Sequence, residues 1–262
     1  MSRIALGIEY DGSPFSGWQS QPHGNTVQDK LEFALGQIAA APVRVSCAGR
    51  TDAGVHALAQ VVHFDADAGR PLSAWVRGTN AHLPAQIAVY WAQVVDDEFH
   101  ARFSARSRSY RYLLYNHPVR PALQHGKHGW FHQPLEVERM RAACAHLLGE
   151  HDFSAFRAAE CQARSPLKTL YRAEVERRGD MIQFDFRASA FLQHMVRNLV
   201  AALVAVGKGR CPPEWLAELL ASRDRKRGAP TFSAAGLYFA GVDYDARWCL
   251  PQGSRIIPAG SA

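Results

Sequence analysis

Cysteine is sparse and poorly placed for either of its usual structural uses. The chain has five (Cys47, Cys144, Cys161, Cys211 and Cys249), an odd number, widely separated and without a C-x-x-C pair. That argues against a disulfide framework and against a zinc site, and leaves reduced structural thiols. H-E-x-x-H is absent, as are G-x-G-x-x-G, the P-loop and G-x-S-x-G. Metalloproteases, dinucleotide enzymes, P-loop NTPases and α/β-hydrolases are set aside accordingly. Long apolar runs are lacking too. The longest, Leu199 to Gly207, is far too short for a bilayer and is bracketed by Arg197 and Lys208. Met1 to Tyr10 has no basic region followed by a long apolar stretch, so no signal peptide is read there. The expectation is a soluble, cytoplasmic protein with no membrane partner.

What is present fits a folded enzyme-sized chain. Of 262 residues, 47% are hydrophobic and 21% charged, which supports a substantial core and does not match a disordered chain. Lys plus Arg is 30 against 24 for Asp plus Glu, a formal charge of +6. This modest basic excess suits a polyanionic partner without requiring one.

The patterning alternates strands with a few helices. Ile4 to Tyr10 reads as a strand ending at the turn formers Asp11-Gly12-Ser13-Pro14. Thr26 is placed as the N-cap of a helix whose apolar face is Val27, Leu31, Ala34, Leu35 and Ile38. Strands follow at 43–48 and 59–65, a short helix at 71–80, and strands at 87–95 and 110–115. A helix at 135–148 stops at Gly149. Residues 169–177 and 181–188 form a hairpin. Helices at 191–206 and 213–222 and a strand at 236–243 complete the pattern. Hairpin-linked strands with few helices predict an α+β fold with antiparallel sheets. The division is expected at the loop-rich stretch 117–133, between halves 1–116 and 134–247. The Pro- and Gly-rich end, 248–262, is expected to be a mobile tail.

Four segments could carry chemistry. Asp52 lies in the loop Gly49-Arg50-Thr51-Asp52-Ala53-Gly54-Val55-His56, after an apolar strand, where a carboxylate can reach a substrate from a fixed base. The same residue types also make ordinary turns. Phe99 to Tyr112 carries Arg102, Arg106, Arg108 and Arg111 among aromatic and hydroxyl residues, without an acid. Arginine forks pair with phosphates and rings stack on unpaired bases, so this stretch points to RNA, although a charged strand edge looks similar. Arg223 to Arg227, near Lys208 and Arg210, reads as a solvated basic surface. In Phe191 to Asn198, the residues His194, Arg197 and Asn198 are spaced to share one helix face, and a cation on an apolar helix calls for a partner.

These segments, taken in order, resemble the tRNA pseudouridine synthase A family. The carriers are the Asp52 octapeptide, Tyr10-Asp11-Gly12 through Phe15-Ser16-Gly17-Trp18-Gln19, Phe99 to Ala105, Phe191 to Asn198, and Gly236-Leu237-Tyr238, so that the likeness runs from about residue 3 to 245. The resemblance implies an isomerase that converts uridine to pseudouridine in the tRNA anticodon stem-loop, at nucleotides thirty-eight to forty, by base flipping. It implies two ferredoxin-like α+β halves whose antiparallel sheets join across a central catalytic cleft. Asp52 matches the family nucleophile, Arg197 the arginine paired with it, and Arg50 the residue filling the space of the flipped nucleotide. Tyr110 matches the tyrosine stacked on the uracil, and Leu237 the apolar residue lining its pocket. Arg102, with Phe99, His100, Ala101 and Phe103, and also Arg70 and Arg164, would contact the RNA. The family uses no metal or organic cofactor and works as a homodimer. Rival readings are a non-catalytic RNA-binding protein that helps tRNA fold and, more remotely, an RNA methyltransferase or nuclease.

Overall fold

The structure is a computed structural model that describes residues 1–67 and 69–251. It separates into two compact units, Met1–Arg106 with the chain from Tyr238 onward, and Ser107–Leu237. This differs from the expected division at 117–133. That stretch contains a short strand, β6 (Gly129–Phe131), pairing in parallel with the end of β5 (Ala105–Asn116), and so belongs inside the second unit. Asn116 secures it by donating its amide to the carbonyls of Phe131 (3.0 Å) and Gln133 (2.7 Å).

The first unit is a sheet with helices. β1 (Ser2–Tyr10) pairs antiparallel with β3 (His56–Ala66) and with β4 (Ile87–Val95), and β2 (Ser46–Cys47) pairs antiparallel with β3. The order β4-β1-β3-β2, with α1 (Val27–Ala39) after β1, is that of a ferredoxin-like unit. β1 is central and buried on both sides, Ile4, Leu6 and Ile8 alternating with Ala5. Val27, Leu31, Ala34 and Leu35 bury the apolar face of α1. Thr26 caps it as expected, accepting from the Asp29 amide at 3.2 Å. The last strand, β10 (Leu237–Tyr244), returns to this unit and pairs in parallel with β3 at Tyr238↔His56 and Phe239↔Ala57.

The second unit has antiparallel order β5-β9-β8-β7, with β7 (Gly149–Asp152), β8 (Leu167–Arg178) and β9 (Met181–Ala188). Helices α3 (Val137–Ala145), α4 (Met195–Gly207) and α5 (Trp215–Ser222) accompany it. Every residue of α4 is buried except Arg197. Each fully buried Leu or Val there contributes roughly 1.5–3 kcal/mol relative to exposure.

Three local expectations change. The helix expected from Phe191 begins at Met195, because His194 adopts a left-handed backbone (φ 62°) after a turn closed by Met195 N–H on Leu192 C=O. His194 therefore stands at the N-cap position, outside the helix that carries Arg197 and Asn198. The 71–80 helix is a π-helical turn, Ala74–Gly78, running into the short α2 (Thr79–His82). At the C-terminus, Ala246–Trp248 forms a 3-10 turn, and Trp248 is buried against Phe99 (centroids 5.3 Å apart). The expected tail is thus anchored at its start, and its remainder from residue 252 lies outside the described residues. Among the described residues, no helix is long and apolar enough to cross a membrane.

Candidate active site

In the first unit, the Asp52 loop links β2 to β3 and is held on several sides. Its own turn is closed by Val55 N–H donating to the Asp52 carbonyl at 3.1 Å. Trp18 N–H donates to the Thr51 carbonyl at 3.0 Å. Trp18 is fixed in turn, because its carbonyl and that of Gly17 accept the Gln28 and Val27 amides that open α1. Gly17 has φ +88°, and a Cβ there would lie within 3.1 Å of backbone atoms of Thr51, Asp52 and Ala53. Gly12 presses on the far end of the loop, where a Cβ would stand 1.9 Å from the Val55 carbonyl oxygen. Beyond it, His56 places Nδ1 3.1 Å from both the Gly12 amide and an Asp11 carboxylate oxygen, and its ring stacks on Tyr238 at 4.6 Å. The segments Tyr10–Gly12 and Phe15–Gln19 thus form the seat of the Asp52 loop. The Asp52 side chain is half-buried, and Arg50 is exposed.

A second feature of this unit is the turn Phe99–Ser104, built around two imidazoles. His63 Nδ1 accepts from the Ala101 amide at 3.1 Å, and its other nitrogen bonds the Ser46 backbone. His100 Nδ1 accepts from the Arg102 (3.1 Å) and Phe103 (3.3 Å) amides. The rings lie 4.5 Å apart. Burial first, then the neighbouring His100, pushes His63 down to about 4. Burial also lowers His100. Both rings therefore act as neutral acceptors near neutral pH. The turn buries Phe99 and Ala101 and presents Arg102 and Phe103, which is 75% exposed with the guanidinium 5.6 Å above its ring. Arg102 and Arg50 both act on the Cys47 thiol, which burial nevertheless pushes up to about 12, so the two arginines share one neighbourhood. Arg70 is exposed on the loop after β3.

In the second unit, Arg197 donates Nε–H to the Phe232 carbonyl at 2.8 Å. The Phe232 ring meets Tyr112 edge-on at 5.9 Å, the Tyr112 hydroxyl donates to the Ser233 carbonyl at 2.9 Å, and Leu113 N–H donates to Gly236 C=O at 2.9 Å. These contacts lay the segment ending at Leu237 along β5, the strand that carries Tyr110. Tyr110 is 9% exposed and meets Phe191 edge-on at 4.9 Å, and Leu237 is buried. Arg164 stands exposed on the loop before β8.

Sequence reasoning missed the residues that hold these loops, among them Gln60 and His63. Both are buried polar side chains in the apolar run of β3, which was a readable sign of an internal bonding role. Among the described residues, no group of three or more His, Cys, Asp or Glu is placed to hold a metal ion.

Comparison with known proteins agrees with the order of these segments. The pattern of the family described as tRNA pseudouridine synthase matches residues 7–104 and 143–245. A tRNA pseudouridine synthase A of Dechloromonas aromatica is 64% identical over 250 residues, 95% of each chain. One from Thiobacillus denitrificans is 60% identical over 258 residues, covering 98% of this chain and 99% of its own. One from Methylobacillus flagellatus is 60% identical over 260 residues, 99% of this chain and 100% of its own. With most of its length matched in this way, the chain belongs to the tRNA pseudouridine synthase family, a family of isomerases.

Proposed function

We propose that the protein converts uridine to pseudouridine in the anticodon stem-loop of tRNA, at nucleotides thirty-eight to forty, with Asp52 as the catalytic carboxylate. The observation that carries this reading is the loop itself, whose backbone is fixed through Trp18, Gly17 and Gly12 while the carboxylate remains partly open to solvent. A reacting group on a rigid base loses little to misplacement.

The reaction is balanced without an external redox partner. The bond from ribose C1′ to uracil N1 breaks, the base turns, and C1′ joins C5. The proton leaves C5, and N1 ends protonated. An ionised carboxylate attacks as a nucleophile or serves as a base at the sugar. Arg197, the single half-exposed residue on an otherwise buried helix, is assigned the positive charge that favours the ionised form. Tyr110 and Leu237 are assigned the uracil pocket, and Arg50 the space vacated when the base leaves its stem. Phe99, His100, Ala101, Arg102 and Phe103 form the turn assigned to RNA, with Arg70 and Arg164 gripping the backbone. No cofactor takes part, and the working form is a homodimer, which sedimentation of the purified protein checks.

The decisive experiment is Asp52→Asn on an unmodified tRNA transcript. Pseudouridine formation is expected to vanish while tRNA affinity stays within a few-fold. Retained conversion would refute the assignment, and lost conversion together with lost binding would point to an RNA-binding role for the loop.

A further inference from the structure

The Asp52 loop is also braced from beneath by a network of side-chain hydrogen bonds. The Tyr10 hydroxyl lies 2.8 Å from Thr51 Oγ1, in a buried contact where either oxygen can donate. Gln60, fully buried on β3, donates Nε2–H to the Gly49 carbonyl at 2.6 Å, and its Oε1 accepts from the Gly49 amide at 3.3 Å. The same carboxamide interacts with the Tyr10 hydroxyl. Gly49 and Thr51 are therefore tied to one interior network, and the residue between them is Arg50. The residue after Thr51 is Asp52.

We propose that Tyr10, Thr51 and Gln60 are positioning residues that set Arg50 and Asp52 in register with each other. The inference rests on the reading of Asp52 as the catalytic carboxylate. The geometry favours positioning over simple core filling for three reasons. The network ends on backbone and hydroxyl groups of the loop itself, on both sides of Arg50. Its side chains Tyr10 and Gln60 come from β1 and β3, neighbouring antiparallel strands, so the footing under Thr51 and Gly49 is rigid. It consists of uncharged groups, which brace the loop without adding a charge that would compete for the carboxylate. A hydroxyl-to-hydroxyl contact can be removed with little change of shape, so its contribution can be measured apart from packing.

The test uses the full-length protein and compares Tyr10→Phe, Thr51→Val, Thr51→Ser and Asp52→Asn. Turnover is measured on saturating tRNA, with Kd and Tm measured alongside. Tyr10→Phe and Thr51→Val are expected to lower kcat by about 10- to 100-fold, as a misplacement on the order of 1 Å would, with Kd changed less than about threefold. Thr51→Ser restores the hydroxyl and is expected to return kcat to within about threefold of the original protein. If Thr51→Val and Tyr10→Phe keep full kcat while Asp52→Asn is inactive, the positioning role fails and the catalytic assignment stands. If Asp52→Asn remains active, the catalytic assignment fails first. If Thr51→Ser loses as much kcat as Thr51→Val, or if kcat falls only in proportion to folded protein as judged by Tm, the hydroxyl network is structural and the proposal is overturned.

Discussion

The Asp52 loop and the Phe99–Ser104 turn belong to the same unit and are stabilised by different groups. The first is held chiefly by backbone amides, two hydroxyls, a carboxamide, and glycines that admit close backbone contact, with His56 at its far end. The second closes its amides on two neutral imidazoles and exposes an arginine and a phenyl ring. A reacting carboxylate requires constant geometry. A surface that receives a flexible polyanion can tolerate a softer foundation. The contrast suits the proposed reading, with chemistry at the first loop and RNA capture at the second.

The largest expected effect breaks the first loop directly. Gly12→Ala puts a methyl group where the Val55 carbonyl already stands. Overpacking of this kind costs about 1–3 kcal/mol, or roughly 2–10 °C in Tm for a chain of this size. Turnover should fall about 100-fold through displacement of Asp52. Thermal unfolding and single-turnover assays check both, and unchanged turnover would show that the loop is less rigid than its contacts imply.

The counterpart in the second region is Phe103→Ala. Removing one stacking ring weakens tRNA binding by about 1–3 kcal/mol, near 5- to 150-fold in Kd. The ring is 75% exposed, so Tm should hold. A filter-binding titration that found no change would remove Phe103 from the RNA surface.

A smaller effect distinguishes the two regions by pH. His63 sits at about 4, below its ordinary 6.5, because it is buried beside His100 and Arg3, with Asp65 opposing. Its contribution to stability is complete above about 6.5 and is lost as pH falls towards 4. Tm should therefore drop across that window, and His63→Asn, which keeps an acceptor near Ala101 but cannot titrate, should flatten the drop. Equal slopes for both proteins would place the acid sensitivity elsewhere. Smallest is Arg102→Ala, which should make the log–log salt dependence of tRNA binding shallower by about one.

Much of this contrast was legible in the sequence, and part was not. The period-two run at residues 4–10, the Thr26 cap and the hairpin around Gly179 are local features, so local rules found them. The start of α4 was misplaced by four residues because a left-handed His194 is not written in hydrophobic spacing. The strand expected at 43–48 shrinks to Ser46–Cys47, since its pairing depends on where β3 passes. The boundary at 117–133 failed for a similar reason. Polar, loop-like composition carries no sign that Asn116 will stitch the segment back onto β5. For the candidate site, residue types alone singled out Asp52, the Phe99–Tyr112 arginines and Arg197, and the family resemblance supplied the roles proposed for them. The partners of the side chains beneath them could not be named: polar Gln60 and His63 in an apolar run signal internal bonds, but not that those bonds go to Gly49 and Ala101.

One feature bears on how the protein is made. β10 and Trp248 are the last described parts of the chain to be synthesised, yet they complete the unit that begins at Met1. Tyr238 stacks on His56, the Tyr244 hydroxyl donates to the Ala101 carbonyl at 2.6 Å, and Trp248 covers Phe99. Until residue 238 has been added, the N-terminal sheet lacks these covers, whereas the intervening unit, Ser107–Leu237, has already been made. The second unit is therefore fully synthesised before the first is complete. A chain released before residue 238 would lack the parts that cover His56, Ala101 and Phe99, beside both loops of its first unit.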